Sequence, residues 1–564
     1  MAAQAPAPAN QAPVFRANAR AVAVDVVVTA GSNDPVSELQ KQNFQVFEDG
    51  KPQTIDLFQE HSSTPASETT PPQLPAHVFS NQAAAPRADA VNLLLIDSLN
   101  TSGPDQQFVH KQIADFLNHL QPGTSMAIFT LNSRLRLVQG FTTDAALLKT
   151  ALESKAATPG TTVESYGRDD DLNDKGEIAI IGEMEDGVQD KAHPPTAEAH
   201  TRMLETQAGT QAGQRSSITL AALQQLARAM AGIPGRKNLL WFASSFPISL
   251  FPNGPNRQTL ANGKEIDTAV RATADLLTQS KVAVYPISAQ GMITDTTMNA
   301  DSQGQPNGDN FERNANLQSN SNAANTASME LLATDTGGQA FYTSNKLSDS
   351  LAHAIQSGSH YYTVVYTPPG SQMDGKFHRI EVKLVQAKGK LAYRRGYYAD
   401  ATGATPLPAD PLAPLLALGM PAATQVVYQV RVLPASPQPA AGTAVVGGNA
   451  KLPQPDTRIK ADFVVSASSV DLEPGPDNTH TGKLEVALVA RDTQGHVANW
   501  TGQTLAISLN AADFEKAQHA GMPIHLLLDV PQSQLFLSTG VYDMRAQKAG
   551  TLEIPLSATG NPAP

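Results

Sequence analysis

Residues 91–131 read VNLLLIDSLNTSGPDQQFVHKQIADFLNHLQPGTSMAIFTL. An apolar strand runs into Asp97, and a polar turn, an amphipathic helix and a second apolar strand follow. Two apolar strands joined through a helix require a parallel crossover, with helices covering the sheet. A carboxylate at the carboxyl end of the first strand lies where open α/β sheets bind ligands. Asp97 is therefore the first candidate functional residue.

The alternation continues to about residue 357. Strands are expected at 91–96, 124–131, 134–140, 238–243, 281–287 and 339–343. Helices are expected near 105–120, 143–153, 218–231, 265–279, 324–334 and 347–357. The pattern predicts a doubly wound, mainly parallel sheet. The tight Asn132-Ser133 connection implies one antiparallel hairpin strand at an edge. In Asn238–Phe242, Leu239 and Trp241 should face one helical layer, and Leu240 and Phe242 the other. Pro234 and Gly235 should end the preceding helix, leaving Arg236 and Lys237 at the end of the strand remote from Asp97. Two insertions interrupt the pattern, at 154–216 (with RDDDLNDKGE and a helix near 194–207) and at the polar stretch 291–322.

The flanks read as all-β. Residues 1–19 are a Pro/Ala-rich leader; 20–60 carry Val22, Val24, Val26 and Val28 at period two, then a hairpin turn at Glu48-Asp49-Gly50-Lys51 between FQVFE and TIDLF. Residues 61–89 read as a linker, 358–400 as three strands, 401–423 as a second linker, and 424–564 as a sandwich of roughly seven strands. Neither short β unit has enough surface to bury alone. Residues 20–60 and 358–400 are therefore expected to form one composite domain, with Val24 or Val26 touching Val364 or Ile380. The expected fold class is multidomain α/β plus all-β: a doubly wound sheet at 90–357 inserted in a β-sandwich-like domain, followed by a C-terminal β-sandwich.

Composition narrows the function. The net charge of −12 weighs against nucleic acid as the main partner. The absence of cysteine excludes disulfides, thiolate metal sites and a cysteine nucleophile. No run of 18 apolar residues spans a membrane, and the leader resembles the segment that follows a removed export signal, so an exported protein (periplasm, cell surface or secreted) is expected. No His-Glu-x-x-His, Gly-x-Ser-x-Gly or Walker A pattern is present, and an enzyme is not expected.

The blocks VDVVVT…VSELQKQNFQVFEDGKPQTI, LLLIDSLNT, RLRLVQGFTTD, ITLAALQQLARAMAGIPGRKNLLWFASSFP, VAVYPISAQG and YYTVVYTPP…DGKFHRIEVKL…LAYRRGYYA together cover residues 20–400. In these blocks the chain resembles the von Willebrand factor A-related proteins first catalogued from Acidobacteria. The resemblance implies an A-domain fold and an exported protein, and it implies no established activity. It also implies where a metal-dependent adhesion site would lie. The Asp-x-Ser-x-Ser segment falls on Asp97 to Thr101, with Leu99 replacing one hydroxyl. The threonine loop falls on Ser217 to Thr219, and the second aspartate is replaced at Ser244. The tentative metal ligands are Asp97, Thr101, Ser217, Thr219 and Ser244, for weakly held Mg²⁺ or Ca²⁺, with a metal-free site as the equal alternative. Asn100, Asp169, Asp170 and Asp171 complete the expected partner surface. The three aspartates lack the spacing of an EF-hand loop and read as a solvated acidic loop. The expected function is non-catalytic binding or adhesion toward a protein or glycan through these loops. The alternative is a metal-free structural or assembly component of the cell envelope, and a remote one is a hydrolase.

Overall fold

The computed structural model describes residues 21–31, 34–62, 74–82, 90–101, 103–154, 197–246, 263–289, 323, 325–342, 347–368, 374–399, 411–436, 438, 443–453 and 456–556. The architecture is mixed α/β with many antiparallel sheets. One five-stranded sheet has the order 282–288, 236–243, 90–97, 126–131, 135–142. Its first four strands are parallel and the last is an antiparallel edge, as the tight connection at Asn132 requires. The chain enters at the central strand Ala90–Asp97. It builds outward to one side through Met126–Leu131, then returns to the other side at Arg236–Ala243. Asp97 thus ends the strand at which the winding direction reverses. That end of the strand is where open α/β sheets bind ligands.

Both faces of this sheet are covered. Leu239 and Trp241 pack with Leu220, Leu223 and Leu226 of the helix Ala197–Met230, Val270 and Leu277 of Gly263–Gln279, and Met329 and Leu332 of the helix at 325–336. Leu240 and Phe242 pack on the other face with Val109 and Ile113 of Gly103–Leu117, Leu148 of Ala145–Glu153, and Leu351 of Leu347–Ser359. Gly235 takes the left-handed conformation (φ 78°) between the end of the long helix and the strand. Arg236 donates to the Gly337 carbonyl at the end of the 325–336 helix and to Tyr285.

Two sheets enclose a second core. One has the order 390–392, 22–29, 361–366, 55–61, and the other 396–398, 377–384, 44–48, 51–53. Val24 pairs with Val364, and both pack with Ile380. The expected hairpin between FQVFE and TIDLF is corrected. The turn joins Phe44–Glu48 to the short strand Lys51–Gln53, after which Ile55–His61 crosses into the other sheet. A third core lies between the sheet 522–531, 456–465, 428–434, 78–80 and the sheet built on 473–474, 480–492, 535–543 and 548–555, with 497–509 paired to 480–492.

Four further expectations change. The segment 61–89 contributes the strand Val78–Ser80, which pairs with Gln429–Arg431, and Asn81 fixes it by bonds to Ala423, Val426 and Tyr428. The segment 401–423 places Leu412, Leu415 and Leu416 in a small core of their own. The helix expected at 218–231 begins at Ala197, inside the expected first insertion. No proline interrupts 197–230, and the two glycines there, Gly209 and Gly213, weaken a helix without ending it. The sixth expected strand, 339–343, is reduced to the single bridge of Phe341 to Ile287. Among the described residues no helix is long and apolar enough to cross a membrane.

Candidate functional site

Asp97 is 1% exposed. The chain turns sharply after it, so its own loop supplies hydrogen-bond donors. Oδ1 accepts from the Asn100 backbone N–H at 2.9 Å, and Oδ2 accepts from the Asn100 side-chain amide at 2.8 Å. Trp241 on the neighbouring strand donates its indole N–H to Oδ2 at 2.9 Å. Burial pushes the carboxyl up to about 6 from 3.8, against the opposing pull of the bonds from Asn100, Trp241 and the Leu99 backbone.

The same Asn100 nitrogen also donates to Thr219 Oγ1 at 3.0 Å. Thr219 passes its own hydrogen to the Arg215 carbonyl at 2.8 Å, so its oxygen must accept, and this fixes the orientation of the amide. The Asn100 carbonyl in turn accepts the backbone N–H groups of Ser244 and Ser245, each at 3.1 Å. The loop after the Asp97 strand is therefore stapled to the loop after the Trp241 strand and to the long helix.

The structure brings Asp97, Asn100, Thr101 and Thr219 together as buried neighbours. It does not gather the other expected ligands. Ser217 is exposed, because it lies off the buried face that Ser216 and Thr219 share one helical turn apart. Ser244 directs its hydroxyl to Asp105 at 2.7 Å rather than to Asp97. Asn100, expected on the partner surface, is 4% exposed and belongs to the interior of the turn. Asp169, Asp170 and Asp171 lie outside the described residues. Sequence reading missed the roles of Trp241 and Asp105. An indole N–H on an apolar strand needs a partner when buried, and that was the available signal.

A hard cation needs oxygen lone pairs converging on one point. At Asp97 what converges is hydrogen: three N–H groups address the two carboxylate oxygens. The position bridging Asp97 and Thr219, which a cation would take, is held by the amide nitrogen of Asn100. Asn100 Oδ1 and Thr101 Oγ1 are buried with no hydrogen-bond partner among the described residues. One neutral amide oxygen and one hydroxyl, without an open carboxylate, make a poor set for Mg²⁺ or Ca²⁺. In this arrangement the residues present do not fit the ion.

No family model and no curated protein matches the chain. Among solved structures it is similar to an aerotolerance-related membrane protein from Bacteroides fragilis, at 8% identity and TM-score 0.22 over 47% of this chain and 98% of that one. It is similar to BatB from Bacteroides thetaiotaomicron, at 11% identity and TM-score 0.22 over 48% and 98%. A third is proximal thread matrix protein 1 from the mussel byssus, described with a zinc-occupied MIDAS motif, at 13% identity and TM-score 0.21 over 50% and 48%.

Proposed function

We propose that this is a non-catalytic adhesion or assembly protein, exported from the cytoplasm, built around a von Willebrand factor A-like sheet whose carboxyl-end loops work without a cation. The observation that carries the reading is the Asn100 amide nitrogen bridging Asp97 and Thr219. Where a metal-dependent site recruits a partner's carboxylate to complete the ion's shell, this turn closes on itself through protein donors. Engagement of a protein or glycan then depends on the shape and polar groups of the carboxyl-end loops, among them Asp105, Ser244 and Asn325. Those loops are held as a unit: Ser244 donates to Asp105, and Asn325 bonds both the Ser244 carbonyl and the Phe246 N–H. A fixed surface loses little conformational entropy on binding, which suits recognition that no metal reinforces. The strand order, with an antiparallel edge and the switch point at Asp97, supports the A-like reading.

Calorimetric titration of the full chain with Mg²⁺, Mn²⁺ and Ca²⁺, beside the Asp97→Ala variant, tests the proposal. The expected result is no binding event that the substitution removes. Cation binding abolished by Asp97→Ala would return the site to the metal-dependent class.

A further inference from the structure

The turn Glu48-Asp49-Gly50-Lys51 and the block DGKFHRIEVK meet in the second core, away from Asp97. Asp49 (φ 48°) and Gly50 (φ 78°) both take left-handed conformations, which makes a tight hairpin turn and presents the Asp49 carboxylate to the adjacent strand Phe377–Leu384. The antiparallel register sets Ile380 opposite Glu48, so His378 lies over the turn. Glu48, Asp49 and His378 each offer a ligand atom, and these atoms lie within 4.8 Å of one another.

Each of the three groups has its other polar atom held from behind. Glu48 is only 8% exposed; its Oε2 accepts the hydroxyls of Tyr366 at 2.6 Å and Tyr397 at 3.1 Å. That leaves Oε1 facing His378 Nδ1 at 3.7 Å, beyond hydrogen-bond reach. Asp49 Oδ1 accepts the Arg379 N–H at 2.9 Å, leaving Oδ2 2.8 Å from His378 Nδ1. His378 Nε2 lies 3.3 Å from Asp374 Oδ1, and its ring stacks on Tyr397. A carboxylate behind the distal ring nitrogen, with the other nitrogen turned to a shared point, is the arrangement that orients a metal-ligating histidine.

We propose that Glu48 Oε1, Asp49 Oδ2 and His378 Nδ1 bind one Zn²⁺, with water as the fourth ligand and Asp374 as the positioning residue behind His378. Tetrahedral Zn²⁺ at 2.0–2.2 Å from its ligands sets them roughly 3.3–3.6 Å apart. The two distances to His378 Nδ1, 2.8 and 3.7 Å, bracket that spacing, and the two carboxylate oxygens lie within 4.8 Å of each other, so side-chain adjustment without backbone movement seats the ion. The metal joins segments 329 residues apart in sequence, on either side of the five-stranded sheet, in a chain with no cysteine to do so. This site is separate from the Asp97 turn and does not depend on its reading.

The test is Zn²⁺ titration by calorimetry on the untagged full chain after chelator treatment and dialysis, with far-UV circular dichroism of every variant. One Zn²⁺ per chain is expected, with a rise in melting temperature. Asp49→Asn, which is isosteric and keeps the Arg379 contact, and His378→Ala should each remove it. Asp374→Asn should weaken binding about 10–100-fold, and Asp97→Asn should leave it unchanged. If the wild-type chain binds no Zn²⁺, the three groups form only a histidine–carboxylate clamp and the proposal fails. It fails equally if binding persists in the folded Asp49→Asn variant.

Discussion

Asn100→Ala removes the one group that bonds both Asp97 and Thr219, and its cost should depend on pH. At about pH 8 Asp97 is ionised, so the variant loses one bond to a charged group, about 1.5–3 kcal/mol, and one neutral bond, about 0.5–1.5 kcal/mol. The sum is about 2–4.5 kcal/mol. At about pH 5 Asp97 is mostly protonated, both lost bonds are neutral, and the cost drops to about 1–3 kcal/mol. The sign follows from linkage. The carboxyl is raised from 3.8 to about 6 on folding, so its contribution is full below the unfolded value and is lost as pH rises through the folded one. Removing a donor that favours the ionised form raises the folded value further and deepens the loss on the alkaline side. Urea unfolding followed by tryptophan fluorescence reads this directly. Trp241 is fully buried against Phe246, whereas Trp500 is 47% exposed, so the emission change reports mainly the five-stranded sheet. A penalty equal at the two pH values, or larger at about pH 5, would mean that Asn100 does not favour the ionised form of Asp97.

Asn81→Ala should cost about 2–4 kcal/mol in thermal or urea unfolding, because it removes the acceptor of the Tyr428 N–H and a donor to the Val426 and Ala423 carbonyls, the latter keeping only the Thr551 N–H; proteolysis should then cut near 74–82 faster. Arg236→Ala should lower stability by about 2–4 kcal/mol through loss of the Gly337 and Tyr285 bonds, while the pH dependence around Asp97 stays that of wild type; a changed pH profile would couple the two ends of the sheet. Asn100→Asp should create Mg²⁺ binding measurable by calorimetry, since a carboxylate then faces Asp97 where the amide nitrogen stood; a variant that folds and binds no Mg²⁺ counts against the amide occupying a cation position.

The elements legible in the sequence are those set by local periodicity. The faces of Leu239 to Phe242 follow from the alternation of a doubly covered strand, and the edge hairpin follows from the short Asn132 connection. What stayed hidden depends on distant partners. The difference between Ser216 and Ser217 is a matter of helix phase, which is set by packing on Leu220 and Leu223 rather than by the local run of serines. The donor role of Asn100 requires Thr219, 119 residues away, to have its own hydrogen committed elsewhere. The polar stretch around Val78–Ser80 looks like a linker until the Gln429–Arg431 edge offers it a partner. The gathering of Glu48 with His378 depends on the register of two strands separated by the whole central sheet.

Protein donors, not a cation, satisfy the Asp97 carboxylate. A carbon-13 NMR titration of aspartate-labelled protein, with Asp97→Asn to assign the resonance, tests it most directly. A midpoint near 6 that stays in place when Mg²⁺ is added is expected. A midpoint driven down by Mg²⁺ would contradict it, because a bound cation favours the ionised carboxylate.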